Sequence, residues 1–406
     1  MRIMQINAVC DYGSTGRICR ELNDALLEEG HEGIVLYGNG NSEYGYAKKV
    51  AGKLGVKAHG FLARSSGRNA AYSPLATRKI LDSIRTYKPD LVHLHNLHGN
   101  YVNIGPLLRY LARNDIPTVI SLHDCWFYTG KCTHYTEVGC DKWQTGCEYC
   151  PKLRDDIPSY FFDRTRKMWR EKKQLFVSIP RLAVIGVSDW ITGEARKSFL
   201  TDAKIVERIY NWIDLDVFCP RTEAIRERFG ISEEKFTILC IGAGWNRKSS
   251  KTADLLTLAD QLDENCQIVL AGSVPFDEEL PSNIKYVGYI SDTEELASLY
   301  SVCDVYVHLS REDTFGKVIA EAMACGTPAI VYRSTACPEI VGEGCGFSVE
   351  TGNIEAVLAA ILEVKKCGKA RYSQNCIDYT RRNFSKDQLL RETFEVYRKV
   401  CNRVEV

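Results

Sequence analysis

The sequence predicts an α/β protein of two Rossmann-like, doubly wound domains. Three observations carry that prediction. Short apolar, β-branched runs alternate with helical patterns through both halves, as parallel strands covered by helices require. The first strand leads straight into a glycine-rich turn and a helix, a βαβ start. At 406 residues the chain exceeds one ordinary core and suits two domains of similar size. We place them at 1–212 and 213–385, with a final amphipathic helix, 386–406, packing back on the first.

Composition narrows the function. The chain is 45% hydrophobic and 26% charged, as soluble globular proteins are. Its 52 basic residues balance 52 acidic ones, so no net field favours a nucleic-acid partner. The opening MRIMQINAVCDYG is too short an apolar run for a signal peptide, and no stretch approaches about 18 consecutive apolar residues. A cytoplasmic protein is expected, with room for contact at the inner face of a membrane. Most of the seventeen cysteines are scattered singly in apolar runs and read as small buried hydrophobes.

Taken in order, residues 1–9 form a strand, and Asp11-Tyr12-Gly13-Ser14-Thr15-Gly16-Arg17 opens a helix that stops at Gly30. Its glycines miss the dinucleotide fingerprint, so a nicotinamide enzyme is disfavoured. Residues 39–77 are hard to read: basic residues (Lys48, Lys49, Lys53, Lys57, Arg64, Arg68) alternate with Leu54, Val56, Phe61 and Leu62. A solvated surface and a contact for lipid phosphates are the competing readings. A helix at 77–87, the strand Leu91 to His95, a helix at 106–113 and a strand at 117–122 follow. These bring His98 and His123 to the C-terminal edge of the sheet, where open α/β sheets hold ligands.

Cys132, Cys140, Cys147 and Cys150 then fall within nineteen residues, the last two spaced as a metal knuckle. Four thiolates around zinc would form a closed structural site in a loop that, by its polarity, has little core of its own. Free thiols and a disulfide pair are the alternatives, and His134 or Cys125 could replace one ligand. After a basic helix, a strand at 182–188 and a further helix, the run 205–214 leads to Asp214-Leu215-Asp216, read as structural. The second half repeats the alternation. Its strand at 235–242 ends in Gly244-Trp245-Asn246-Arg247-Lys248, adjacent cations suited to a diphosphate.

The most informative stretch is Ser310 to Pro328, SREDTFGKVIAEAMACGTP. The apolar run 304–309 reads as a buried strand, and a helix opens at Phe315-Gly316 and stops at Gly326. A helix N-terminus offers free N–H groups to phosphate. Asp313 and Glu321 repel phosphate and suit hydroxyl-rich groups beside it. The plainer reading makes Asp313 or Thr314 an N-cap and Glu321 an ordinary helical carboxylate.

This stretch resembles the donor-site signature of retaining glycosyltransferase family 4: two acids with seven residues between them bracketing Phe-Gly, then Glu-Ala-Met-Ala-x-Gly-x-Pro. Asp313 stands where the family usually has Glu. The resemblance implies the GT-B architecture, two Rossmann-like domains facing a cleft. It implies transfer of a sugar from a nucleotide-diphosphate donor, UDP-sugar favoured over GDP-sugar, to a glycan or lipid-linked acceptor. In that frame Arg247, Lys248, Gly316 and Lys317 meet the phosphates, Asp313 and His123 hold the sugar, Glu321 holds the ribose, and Phe315 and Gly16 line the donor site. No catalytic metal is implied. The cysteine segment at 125–151 resembles an insertion found in transferases of capsule and exopolysaccharide assembly. A sugar-nucleotide epimerase of the same fold and a non-catalytic nucleotide-binding scaffold are the alternatives.

Overall fold

The computed structural model describes residues 1–406 apart from 223–224, 243, 247–248, 274–279 and 403–406. The chain divides into two compact units, Met1–Ile209 joined by the chain from Leu390 onward, and Tyr210–Leu389.

The first unit carries a seven-stranded sheet: β1 (Arg2–Asn7), β2 (Glu32–Tyr37), β3 (Ala47–Lys49), β4 (Leu91–Leu94), β5 (Thr118–Leu122), β6 (Leu182–Gly186) and β7 (Ile205–Arg208). The order is β3-β2-β1-β4-β5-β6-β7, and every pairing is parallel. Strands covered by helices on both faces can be apolar throughout, and β4, β5 and β6 are buried at every position. Strand order reverses between β1 and β4, the switch point at which such sheets bind ligands.

The second unit carries six parallel strands: β8 (Phe236–Ile241), β9 (Cys266–Ala271), β10 (Ile284–Gly288), β11 (Val305–His308), β12 (Ala329–Tyr332) and β13 (Gly346–Val349). Their order, β10-β9-β8-β11-β12-β13, puts its switch point between β8 and β11.

Several elements differ from the sequence reading. The obscure stretch 39–77 contains β3, a helix Lys53–Ser66 and the start of a helix Pro74–Tyr87. Both helices lack a side-chain cap, and the first carries two internal glycines, so ordinary start signals are missing. The run from Ile205, to which the sequence reading assigned no strand, supplies β7 before the chain leaves the first unit. The C-terminal helix Lys386–Cys401 enters the first unit at Leu390, where the Tyr397 hydroxyl lies 2.7 Å from His93 Nδ1.

Candidate active site

In the second unit β11 ends at His308, and a loop leads to the helix Lys317–Ala324. The helix starts later than the sequence suggests. Gly316 is its N-cap, left-handed at φ 78°, and a Cβ there would lie 2.6 Å from Ile319 Cδ1. Only glycine takes both conditions cheaply. Phe315 does not face outward: it is buried against Tyr210 and Phe384, ring centres 5.8 and 5.4 Å away, and anchors the turn.

Asp313 is partly exposed and accepts a hydrogen bond from His308, Nε2 to Oδ2 2.7 Å. Tyr306 OH lies 2.9 Å from His308 Nδ1, so strand and loop are tied by a chain of three side chains. The Asp313 backbone is pinned as well, its N–H donating to Thr335 Oγ1 at 2.9 Å and its carbonyl accepting from Ala336 N at 3.2 Å. Glu321, one turn into the helix, is buried and accepts from Tyr300 OH at 3.2 Å. Neither acid is an ordinary solvated carboxylate.

Arg247 and Lys248 lie outside the described residues. Next to them, in the loop after β8, Trp245 is buried with no partner for its indole N–H among the described residues, and Lys251 Nζ sits 5.0 Å from its ring centre. Burial lowers the Lys251 pKa, and the Asp313 carboxylate opposes that. Lys251, which the sequence reading passed over, is therefore a half-buried cation within electrostatic range of Asp313. Its signal was its position in the first turn of the helix Ser250–Gln261. Asp214 Oδ1 accepts from the N–H groups of Asp216 and Val217 at 3.2 and 3.4 Å, the use expected of a structural carboxylate.

In the first unit the C-terminal edge of the sheet collects histidines. His123 Nε2 is 2.9 Å from His95 Nδ1, and His95 Nε2 is 3.2 Å from Gln5 Oε1. Gln5 Nε2 donates to the Cys19 carbonyl, which leaves its Oε1 as the acceptor. His95 therefore donates through Nε2, accepts at Nδ1 from His123 Nε2–H, and leaves His123 Nδ1 as an acceptor. Burial holds both rings neutral: His123 is lowered to about 4 and His95 well below its usual value, in each case by desolvation first. The neighbouring His98 behaves oppositely. Burial pushes it down, but the Asp124 carboxylate 2.8 Å away outweighs that and raises it. Asn96, just past the end of β4, donates its N–H to Asn7 Oδ1 at 3.0 Å, while its own buried Oδ1 has no partner among the described residues.

Gly16 belongs to the helix Gly13–Glu28 rather than to the loop. A Cβ would sit 3.2 Å from Asp11 N, so the residue permits close packing of the turn, and the positive φ falls at Gly13.

The cysteine segment has a core after all, contrary to its polar sequence. Tyr128, Tyr135 and Trp143 stack within 5.0 to 6.3 Å, and Trp169 Nε1 donates to the Trp143 carbonyl at 2.7 Å. Buried Lys172 crosses beneath, 3.4 Å from the Trp126 ring centre and donating to the Trp126 and Thr129 carbonyls. Of the four thiols, Cys132 and Cys150 share a hydrogen bond that raises the first and lowers the second to about 7. Cys147 Sγ accepts from Gly130 N at 3.1 Å and lies within electrostatic range of Cys140 and Cys150. His134 Nδ1 is buried and unpartnered, whereas Cys125 is bound up with Tyr128. Only Cys132 and Cys150 are brought together as a pair: among the described residues no three of the four sulfurs lie within 4.8 Å of one another, so the expected four-thiol site is not assembled in this structure.

Residues 15–217 match the family described as Glycosyltransferase Family 4, and residues 221–383 match Glycosyl transferases group 1. A colanic acid biosynthesis glycosyl transferase of Escherichia coli, WcaC, whose description is putative, is 24% identical over 98% of this chain and 100% of its own length. Among solved structures, a sucrose-phosphate synthase from Thermosynechococcus elongatus superposes with a TM-score of 0.72 at 18% identity, covering 98% of both chains. Anabaena HepE in complex with UDP-glucose superposes at 0.66 and 16% identity, covering 98% of this chain and 100% of its own. The two parallel sheets are thus those of the GT-B fold, and the chain belongs to glycosyltransferase family 4.

Proposed function

We propose that this chain moves a hexose from a nucleotide-diphosphate sugar, UDP-sugar ahead of GDP-sugar, to a glycan or lipid-linked acceptor, with retention, in bacterial surface polysaccharide synthesis. The observation that carries the reading is the donor loop: a left-handed Gly316 opening a helix, with Asp313 and Glu321 fixed by His308 and Tyr300. Similarity to WcaC along the whole chain supports the pathway class, and the likeness to HepE, solved with UDP-glucose, supports the donor class.

In this mechanism the bond between anomeric carbon and phosphate oxygen breaks, and its electron pair goes to the diphosphate. The N–H groups at Gly316 and Lys317 receive that charge, with Lys248 and Arg247 as its counter-ions. Asp313 accepts hydrogen bonds from the sugar, and Glu321 from the ribose. His123, neutral and with Nδ1 as an acceptor, takes a sugar hydroxyl's hydrogen bond. The acceptor oxygen attacks from the face the phosphate leaves, and its proton passes to that phosphate. No step in this scheme requires a metal. Structural zinc is proposed on Cys132, Cys140, Cys147 and Cys150, where it would hold the insertion together.

Peripheral membrane contact is part of the proposal, at the inner, cytoplasmic face. The helix Lys53–Ser66 exposes Leu54 and Phe61 (84% and 69%) among Lys53, Lys57 and Arg64, with no acidic residue. Tyr160 N donates to the Arg64 carbonyl, which sets the exposed Phe161 beside it. Apolar side chains framed by cations suit an anionic lipid surface.

A panel of UDP- and GDP-sugars read by thermal shift tests the donor, and the anomeric configuration of the product tests retention. Stabilisation by a UDP-sugar and an axial or equatorial bond matching the donor are expected. Stabilisation by none of the panel contradicts the donor assignment.

A further inference from the structure

Beside the donor loop the second unit gathers three ligand atoms. A ring nitrogen of His308, a carboxylate oxygen of Asp313 and the Cys337 thiol lie within 4.8 Å of one another, and His308 Nε2 is 2.7 Å from Asp313 Oδ2. They come from three places in the chain: the end of β11, the loop after it, and the start of the short helix Cys337–Ile340. What brings Cys337 to the group is the stitching of residues 335–336 to the Asp313 backbone described above.

The plain reading is a satisfied His–Asp hydrogen bond with a buried cysteine next to it. The chemistry favours more. A buried cysteine usually packs against apolar atoms, whereas Cys337, fully buried, faces an imidazole and a carboxylate. His308 is 7% exposed and Asp313 about one third, so the group is closed on two sides and open on one. The second nitrogen of His308 is already oriented by Tyr306, as metal-bound imidazoles are by an outer partner.

We propose that His308, Asp313 and Cys337 form a three-ligand site for a borderline divalent cation, zinc by ligand type, and that its occupancy withdraws Asp313 from the donor sugar. One thiolate and one carboxylate neutralise the ion, and the neutral imidazole completes the trio. Zinc bonds of about 2.0–2.3 Å set ligand atoms roughly 3.3–3.8 Å apart. The thiol therefore closes by at most about an ångström, while His308 and Asp313, now 2.7 Å apart, open by roughly half an ångström. The fourth position, on the open side, goes to water. The Cys337 proton leaves to solvent, and the His308 proton moves from Nε2 to Nδ1, from where it is donated to the Tyr306 hydroxyl oxygen, so that Nε2 is free to bind and the hydrogen bond to Asp313 is lost. Donor binding and the ion then compete for one carboxylate, so the cation is an inhibitor of the enzyme.

The inhibition rests on the role proposed for Asp313; the binding does not. Equilibrium dialysis of the full chain against zinc alone counts ions bound by wild type, Cys337→Ala and Cys337→Ser. One ion fewer in Cys337→Ala, at unchanged melting temperature, is expected. Equal counts overturn the site, and Cys337→Ser supplies the comparison if the alanine variant melts early. Zinc should abolish the thermal shift given by the stabilising UDP-sugar in wild type and spare at least half of it in Cys337→Ala. Equal suppression in both proteins overturns the competition. A protein that no sugar nucleotide stabilises defeats the donor assignment instead, and the dialysis still decides the site.

Discussion

Asp313 shows how a single side chain is set by its surroundings. A carboxylate in open solvent is a poor positioning group because its rotamers are free. Here His308 holds one oxygen, and two backbone bonds hold the residue that carries it. Asp313→Asn keeps an acceptor for His308 and removes the charge. It should leave the melting temperature within a degree or two and lower kcat by about 10²–10³, the scale of losing one preorganised electrostatic group. An unchanged kcat would sink its role. Lys248→Ala is expected to cut kcat by a similar factor with little effect on folding, since the proposed clamp acts on charge that develops only as the phosphate leaves.

The buried histidines make a pH prediction. His93 is lowered to about 3, His59 and His123 to about 4, and His95 well below its usual value, all chiefly by burial. Each folded value lies below the unfolded one near 6.5, so the unfolded chain binds protons that the native chain refuses. Their stabilisation is whole above about pH 6.5 and drains as pH falls, by up to about 1.4 kcal/mol per unit for each ring. His98, raised by Asp124, works in the other sense: its contribution is complete at low pH and fades as pH rises through the raised value. Four rings outweigh one. Urea midpoints for the first unit should drop between pH 7 and pH 5, less steeply in His93→Asn. A flat profile would contradict the neutral, buried state.

At the scale of elements, the two switch points explain why the site residues gather where they do. Sheet order reverses at β1/β4 and at β8/β11, so the loops after these strands diverge and leave their ends uncovered. The strand, loop and helix around Gly316 were readable in sequence because glycine, acid and helix-former spacing is local chemistry. Lys251 and His308 were not, since their meaning comes from what surrounds Asp313 in space: His308 bonds its carboxylate, and Lys251 lies within its electrostatic range. The cysteine segment misled in a different way. Its aromatic residues look like loop punctuation, yet Tyr128, Tyr135 and Trp143 meet as a small core. If zinc completes that core, chelation should loosen residues 125–151 without unfolding the sheets. Proteolysis confined to that segment is the expected result, with about one equivalent of zinc released. Protein that holds no zinc before treatment would count against the four-thiol site.

For the molecule as a whole, the end of the chain matters most to the first unit. The C-terminal helix buries Leu390, Phe394, Val396, Tyr397 and Val400, and Tyr397 caps His93 on the central strand β4. Five buried apolar side chains are worth about 8–15 kcal/mol at roughly 1.5–3 each, comparable with the stability of a typical domain. A chain ending at Leu389 should therefore fail to fold its first unit or yield insoluble protein. The separately expressed second unit, 210–389, should be unaffected by that loss. Soluble truncated protein with native circular dichroism would show that the helix is dispensable.

The alternation of apolar runs and helices and the local spacing of Ser310 to Pro328 determined the fold class, the strand–loop–helix turn at Gly316 and the family by themselves. These are short-range properties, and a strand or a helix N-terminus announces itself within about ten residues. Only the tertiary structure decided that Glu321 is tied to Tyr300, that His95 fixes the tautomer of His123, and that Cys337 stands beside Asp313. Those partners lie 21, 28 and 24 residues apart. Parallel sheets join residues through crossovers, so the pairings that set charge and protonation leave no periodic trace in the sequence.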